Sequence, residues 1–347
     1  MDGLKIAVIG DRFIGLEVFK KALEADLHAP FALQGFDLPW PDVPFFDRNG
    51  PAGREIAEYS GLPEDVLAYV ADAEILLTHL APVTREVLGK APGLRFIGVT
   101  RGGPTNIDMA AARERGVAVA NVPGRNASAV AEFTVGAILS NVRRITTGHV
   151  GMTAGQWRGD LYRFDRTGDE LCDLTVGILG YSHIGQRLVR LLKPFGCKII
   201  VCDPFVNLNI YDDIDGVERA DIDSMIARSD IVTLHARVTS ETTGIISRAR
   251  IAAMKAGAVL INTARGSLVD QVALVEALKS GHLGGAALDT FATEPPEAGD
   301  ELLSLPNVTL TPHIAGASRR VATYAAEMVV KDLRRFLEGA QLVNRCA

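Results

Sequence analysis

Leu174-Thr175-Val176-Gly177-Ile178-Leu179-Gly180-Tyr181-Ser182-His183-Ile184-Gly185 is the stretch whose reading decides the fold. Leu174–Leu179 is an apolar run of strand length, and Ile184–Phe195 carries apolar residues at helical spacing. Between them stands G-x-S-x-x-G, a variant of the G-x-G-x-x-G turn that binds dinucleotides. The first glycine, Gly180, makes the tight turn. The last, Gly185, lets helix and strand pack closely. Ser182 puts a Cβ and a hydroxyl at the position where the backbone approaches a pyrophosphate on the helix N-terminus. Lys198–Cys202 reads as the next strand, and Asp203 follows it. An acid there accepts hydrogen bonds from the adenosine ribose and repels a 2′-phosphate, which favours NAD over NADP. Residues 204–206 are Pro-Phe-Val and supply no arginine for that phosphate.

Outward from this core the alternation continues. Further strands are expected at Ile231–His235, Val259–Asn262, Gly285–Leu288 and Val308–Leu310, with helices such as Gln271–Ser280 between them. Upstream, Lys5–Gly10, Ala73–Thr78, Leu94–Thr100 and Val117–Asn121 read as strands, and Leu16–Ala25 and Ile107–Arg115 as helices. This βαβ rhythm builds mostly parallel sheets, so the fold class is α/β with two doubly wound domains. Asn126–Thr147 reads as one long helix, suited to joining two domains or packing on a partner subunit, with an ordinary core helix as the alternative. Ser318–Glu338 is expected to cross back onto the N-terminal domain. The first domain is then discontinuous, 1–121 plus 313–347, around a dinucleotide domain at 122–312.

Composition narrows the function. The chain has 347 residues, 48% hydrophobic and 22% charged, which is globular in balance. Lys plus Arg is 36 against 42 for Asp plus Glu, a net −6, and no Lys/Arg-dense run offers a nucleic-acid surface. No apolar run approaches the ~20 residues needed to span a bilayer, and Met1–Ile6 has no signal-peptide layout. Cys172, Cys197, Cys202 and Cys346 form no CxxC pair and have no His at metal-ligand spacing. They read as reduced, buried thiols, with no metal site and a cytoplasmic location.

Three segments at or just past strand ends carry chemistry: Ile261–Gly266, Ala287–Pro295 and Thr311–Gly316. Ligands bind at strand carboxyl ends in open α/β sheets. Arg265 can fork onto a carboxylate and polarise an adjacent carbonyl. His313 can give a proton to the oxygen of a 2-oxo acid as hydride arrives, or take it back in reverse. Glu294 can orient His313 and stabilise its imidazolium. Arg101, Arg125, Trp157 and Arg158 are basic or aromatic groups that would suit a substrate tail, although Asp160 and Asp165 dilute the charge near the last two.

With these residues in place the chain resembles the D-isomer-specific 2-hydroxyacid dehydrogenases, within them the phosphoglycerate dehydrogenase-like group. Arg101–Asp108, Asn121–Asn126, Ala129–Glu132, the Gly180–Gly185 turn and the three segments above carry the resemblance. It implies a flavodoxin-like substrate domain and a Rossmann domain with a cleft between them. It implies Arg265, Glu294 and His313 as catalytic residues. It implies a cofactor site of Gly180, Tyr181, Ser182, His183, Ile184, Gly185, Asp203, His235, Thr263, Ala264, Arg265, Asp289 and His313, with Asp289 on the nicotinamide carboxamide. Backbone amides of Arg101, Gly102 and Gly103, together with Arg265, would meet the substrate carboxylate. The helix after Asn126 would form a homodimer, and the partner in turnover would be a small 2-hydroxy or 2-oxo acid.

Three departures stand out. Ser182 replaces the second glycine. His235-Ala236-Arg237-Val238-Thr239 stands where the family has His-x-Pro-Leu-Thr, and Arg237 is a candidate for reaching a phosphate. The chain ends at Ala347, so an added regulatory domain with serine feedback is not expected. Two other uses of the same fold are alternatives. An NAD-sensing corepressor would be expected to carry a disordered tail. A formate dehydrogenase pairs its His with Gln, where Glu294 stands here.

Overall fold

The computed structural model describes residues 3–41, 45 and 50–346; Met1, Asp2 and Ala347, the outer ends of the expected first domain, lie outside them. The chain forms two compact units, residues 1–125 with 318–347 and residues 126–317.

Unit 1 is built on a parallel sheet of β1 (Leu4–Asp11), β2 (Phe31–Leu38), β3 (Ile75–Thr78), β4 (Phe96–Val99) and β5 (Ala118–Ala120), in the order β2-β1-β3-β4-β5. The order reverses between β1 and β3, the place where such sheets open a crevice. One face is covered by the helices Leu16–Asp26 and Arg319–Leu337, through Phe19, Leu23, Ala325, Val329 and Leu333. The contact over β4 is close: a Cβ on Gly98 would stand 2.1 Å from Val329 Cγ1. Ser318 caps the long helix by accepting from Val321 N.

Unit 2 carries β6 (Thr175–Leu179), β7 (Lys198–Cys202), β8 (Glu218–Arg219), β9 (Ile231–Leu234), β10 (Val259–Asn262), β11 (Gly285–Leu288) and β12 (Val308–Leu310). They form one parallel sheet in the order β12-β11-β10-β9-β6-β7-β8, which reverses between β6 and β9. Two apolar clusters sandwich it, one around Leu234, Leu260 and Leu288 and the other around Ile178, Leu188 and Ile261.

Five features depart from the sequence reading. Of the four cysteines only Cys202, inside β7, is buried; Cys172 is exposed and Cys197 and Cys346 are partly exposed, since these three lie outside the apolar strands. β2 was not expected. It is an edge strand whose residues alternate between half-buried and exposed over most of its length, with Gly35 inside it, so it lacks a continuous apolar run. β8 is a two-residue addition at the other sheet's edge. The single helix expected over 126–147 is two, Ala127–Val142 and Ile145–Thr153. Arg144 between them is left-handed, at φ 57°, and the Gly168 segment lies so close that a Cβ there would meet Val142 O at 1.7 Å. The units divide at 125/126 and 317/318, which groups His313 with unit 2; its loop is bonded to a carboxylate at the end of β11.

Candidate active site

The expected cofactor and catalytic residues of unit 2 follow a strand, stand in the loop beyond it or, for His183, Ile184 and Gly185, open the helix His183–Leu192 after that loop. Along the sheet edge come His313 after β12, Asp289 and Glu294 after β11, Thr263–Arg265 after β10, His235 after β9, the Gly180 turn after β6 and Asp203 after β7. At about 4.8 Å per strand this edge runs roughly 24 Å.

The turn after β6 is shaped by its neighbours. Gly180 has φ 99°, and a Cβ on it would meet the His235 carbonyl carbon at 2.7 Å. A Cβ on Gly185 would meet Gly180 O at 2.2 Å. Both positions therefore need glycine. Ser182 does not: its φ is −83°, open to any L residue, and its side chain is exposed at the N-cap of the helix His183–Leu192 without capping it. The fit to a dinucleotide is carried by the two required glycines and the helix start they expose. Tyr181 is fully buried. Its hydroxyl donates to Asp212 and accepts from Asn209 Nδ2, and burial pushes its pKa up to about 12, so it anchors the turn as a neutral phenol.

Asp203 is already committed locally. Oδ2 accepts from Tyr181 N at 2.7 Å, and Oδ1 from Phe205 N and Val206 N at 2.8 and 3.0 Å. An arginine does stand beside it, contrary to the sequence reading. Arg219 comes from β8, distant in sequence, and donates to Asp203 O at 2.9 Å and to Asn207 Oδ1. Arg237 is exposed. His235 is held neutral by burial, with its pKa pushed down to about 3, and its Nε2 lies 3.0 Å from Thr233 Oγ1.

The three chemical segments converge through two packing devices. Asn262, buried at the end of β10, accepts from Ala264 N and donates to Arg265 O, which fixes the turn that presents exposed Arg265. Gly266 then lies flat on the next loop, where a Cβ would stand 1.9 Å from the Phe291 carbonyl carbon. This brings the Arg265 turn against the loop holding Glu294. Thr263 Oγ1 lies 3.1 Å from Thr134 Oγ1 on the helix Ala127–Val142. Sequence reasoning missed Asn262 as an organiser; its signal was a polar residue closing an apolar strand.

Asp289 is the second device. It is 1% exposed and accepts from Thr311 Oγ1, Ile314 N and Ala315 N at 2.7, 2.8 and 2.8 Å. These bonds hold His313 at φ 55°, a backbone state that costs a non-glycine residue about 1–3 kcal/mol. His313 Nδ1 then meets Glu294 Oε2 at 2.9 Å, and Glu294 Oε1 accepts from Phe291 N at 3.1 Å. Burial pushes the Glu294 carboxyl up, but the His313 bond and charge, the Phe291 amide and the Arg265 charge outweigh it. The group lies below the ordinary carboxylate range and is ionised at neutral pH. With Nδ1–H given to the carboxylate, His313 Nε2 is left for another partner, and the ring is 46% exposed.

In unit 1, Arg101 is clamped by Glu58, donating to its carboxylate and to its carbonyl at 2.9 Å. Gly102 and Gly103 have no described atom nearer than 4.0 Å to where a Cβ would stand, so the turn is open above its backbone. Arg158 is engaged by Asp160 at 2.8 and 2.9 Å, whereas Trp157 is exposed.

A family model described as the NAD binding domain of D-isomer specific 2-hydroxyacid dehydrogenases matches residues 135–315. A Bacillus subtilis protein named as a 2-hydroxyacid dehydrogenase is 39% identical over 281 residues, 80% of each chain. A glyoxylate reductase of Thermofilum pendens is 38% identical over 286 residues, 81% of this chain and 84% of its own. The solved structure of a D-2-hydroxyisocaproate dehydrogenase superposes at a TM-score of 0.82, with 26% identity and 99% of both chains covered.

The Asp289 bonds yield a prediction free of any activity. Asp289→Leu leaves the Ile314 and Ala315 amides without their acceptor, worth about 1–3 kcal/mol of local stability. Hydrogen exchange at those two amides should speed at least tenfold, with the β9 and β10 amides as internal controls. Unchanged exchange would mean another group holds the loop.

Proposed function

The chain belongs to the D-isomer specific 2-hydroxyacid dehydrogenases, and we propose that Arg265, His313 and Glu294 carry out its reaction, with NAD as the cofactor. As a member of that family it is a nicotinamide-dependent oxidoreductase of the CH–OH group of 2-hydroxy acids. The observation that supports the residue assignment is the 2.9 Å His313–Glu294 contact beside the Arg265 turn.

The nicotinamide, when bound, supplies the hydride to C2 of the 2-oxo acid or accepts it in reverse. The residues do the remainder. Arg265 forks onto the substrate carboxylate and draws charge from the neighbouring carbonyl. His313 donates its Nε2 proton to the carbonyl oxygen as that oxygen gains charge, which yields the hydroxyl. Glu294, already ionised, balances the imidazolium and fixes which nitrogen faces the substrate. In unit 1 the open backbone of Arg101–Gly103 is proposed to donate to a substrate oxygen.

The NAD assignment is supported by the Asp203 carboxylate at the end of β7. Arg219 spends its guanidinium on the Asp203 carbonyl and Asn207, which leaves the carboxylate charge in place against a 2′-phosphate. A homodimer is supported by the apolar surface that follows the helix Ala127–Val142. The segment after it exposes Ile145, Val150, Met152, Trp157, Tyr162 and Phe164, an apolar content that a monomer seldom leaves bare.

Arg265→Ala should cost about 10²–10³-fold in kcat/KM for 2-oxo acid reduction, and Glu294→Gln about 10²-fold or more. Glu294 is held below the ordinary carboxyl range, so its contribution is full above that range and is lost as pH falls through the folded value. Steady-state profiles should therefore show the largest gap between wild type and Glu294→Gln from neutral pH upward. A gap confined to acid pH would defeat the assignment. Asp203→Ala should raise the NADPH/NADH ratio of kcat/KM at least tenfold, and a fixed ratio would remove Asp203 from cofactor choice. Sedimentation velocity should find a dimer that Phe164→Glu with Trp157→Glu weakens; a monomeric wild type would reject that interface.

A further inference from the structure

The last residues of the chain lie behind the loop that unit 1 offers to substrate. β5 is an edge strand, and the tail after the helix Arg319–Leu337 closes that edge. Arg345 bridges Ala120 in the antiparallel sense. Cys346 N donates to Val119 O at 2.8 Å, and Asn121 N donates to Asn344 O at 3.1 Å. Leu342 belongs to the apolar cluster on one face of the sheet, and Cys346 packs on the cluster of the other, so the tail wraps the edge. Asp332 fixes it there. This residue is 1% exposed on the buried side of its helix, where an acid without partners would be costly. Its Oδ1 accepts from Val343 N at 2.8 Å, and its Oδ2 from Asn344 N at 3.2 Å and Asn344 Nδ2 at 3.1 Å.

The bonds continue from the tail to the loop. Val122 N donates to Arg101 O at 2.8 Å, and Asn121 Nδ2 donates to Gly102 O at 2.8 Å. Two successive carbonyls are thus drawn back toward the end of β5. In a planar trans peptide the C=O and the following N–H point in opposite directions. The amides of Gly102 and Gly103 are therefore turned away from β5. Gly102 is exposed, Gly103 is half-buried, and neither amide donates to any other described residue. The other polar group of this edge is bonded within itself. Asp11 Oδ2 meets His79 Nδ1 at 2.7 Å, and His79 Nε2 lies 3.0 Å from Arg125 Nη2.

We propose that Asn121 is the positioning residue for the substrate-binding amides of Gly102 and Gly103, and that Asp332 holds Asn121 in register through the C-terminal tail. The inference rests on the reading above, in which the Arg101–Gly103 backbone donates to a substrate oxygen. Two neighbouring N–H groups turned the same way suit one carboxylate. Their direction is set from the far side of the peptide planes, by the hydrogen bonds to Arg101 O and Gly102 O. Only a donor can hold Gly102 O, so an amide side chain at 121 does what a carboxylate of the same shape could not.

The test uses the full chain with NADH, glyoxylate as substrate and oxamate as an unreactive analogue. In Asn121→Ala the KM for glyoxylate should rise at least fivefold, while kcat and the KM for NADH stay within twofold. The Kd for oxamate, titrated calorimetrically into the NADH-loaded protein, should rise by the same factor. Asn121→Asp keeps the shape without the donor and should lose as much. Asp332→Ala should move the same two constants in the same direction, and Asp332→Asn, which keeps an acceptor for Val343 N, should recover part. If Asp332→Ala does not fold, Asn344→Ala takes its place, since it removes only the Nδ2 bond. The double variant Asn121→Ala with Asp332→Ala should bind oxamate no more weakly than Asn121→Ala alone, because residues acting in series are not additive. A glyoxylate KM within twofold of wild type in Asn121→Ala overturns the proposal. So does an equal rise in the KM for NADH, or effects that multiply in the double variant. Gly103→Pro deletes one loop amide directly. Wild-type oxamate binding in that variant would reject the loop as the carboxylate site. Weak binding there, with wild-type binding in Asn121→Ala, would reject the Asn121 relay alone.

Discussion

One buried carboxylate sets the geometry on which the candidate site depends. Asp289 takes three donors from the 311–315 loop and thereby fixes His313 in a left-handed conformation. Without those bonds an exposed histidine would relax toward the ordinary regions of backbone space, and its Nδ1 would leave Glu294. The energetic logic is local. Two backbone amides bonded to one buried side-chain acceptor offset the conformational cost of one residue. The same exchange recurs at Asn262, whose side chain closes the Arg265 turn. Both organisers stand at strand ends, where a rigid sheet positions them better than a loop could position itself.

Glycines do complementary work. Gly180 and Gly185 are needed because the turn, the helix and the His235 loop approach within a Cβ's radius. Gly266 is needed for a different reason, since it lets the Arg265 turn and the Glu294 loop lie back to back. Ser182 belongs to neither group. Its backbone is ordinary and its side chain points to solvent, so the fold tolerates it and only a ligand would register it.

What the sequence made legible follows from this division. β6, β7 and β9–β11 are mostly buried apolar runs and β12 is a short half-buried one, and their ends carry Gly180, Asp203, His235, Thr263, Asp289 and His313, so periodicity and motif located them together. β2 was opaque because an edge strand shows no such run. The break at Arg144 was opaque because it comes from packing of the Gly168 segment, distant in sequence. Arg219 escaped for the same reason: a search of the residues after Asp203 cannot see a side chain delivered by a neighbouring strand. The Glu294–His313 pairing was readable as chemistry, but the Asp289 bonds that create its geometry were not, because they join residues whose own motifs suggest other roles.

Asp11–His79–Arg125 illustrates the limit of motif reading in another way. No spacing links residues 11, 79 and 125. They meet because parallel β1, β3 and β5 all end on one edge of one sheet, and the order β2-β1-β3-β4-β5 puts the first two side by side. The second sheet reverses its order between β6 and β9, and there the glycine turn and His235 meet. Each unit thus gathers polar side chains at its own reversal point, where two neighbouring connections leave the strand ends in opposite directions and keep those ends uncovered. In unit 2 that opening is lined by glycine and exposed backbone, which suits the approach of a phosphate. In unit 1 it is lined by a carboxylate, an imidazole and a guanidinium in series. The topology is shared, and the residues placed on it differ in kind.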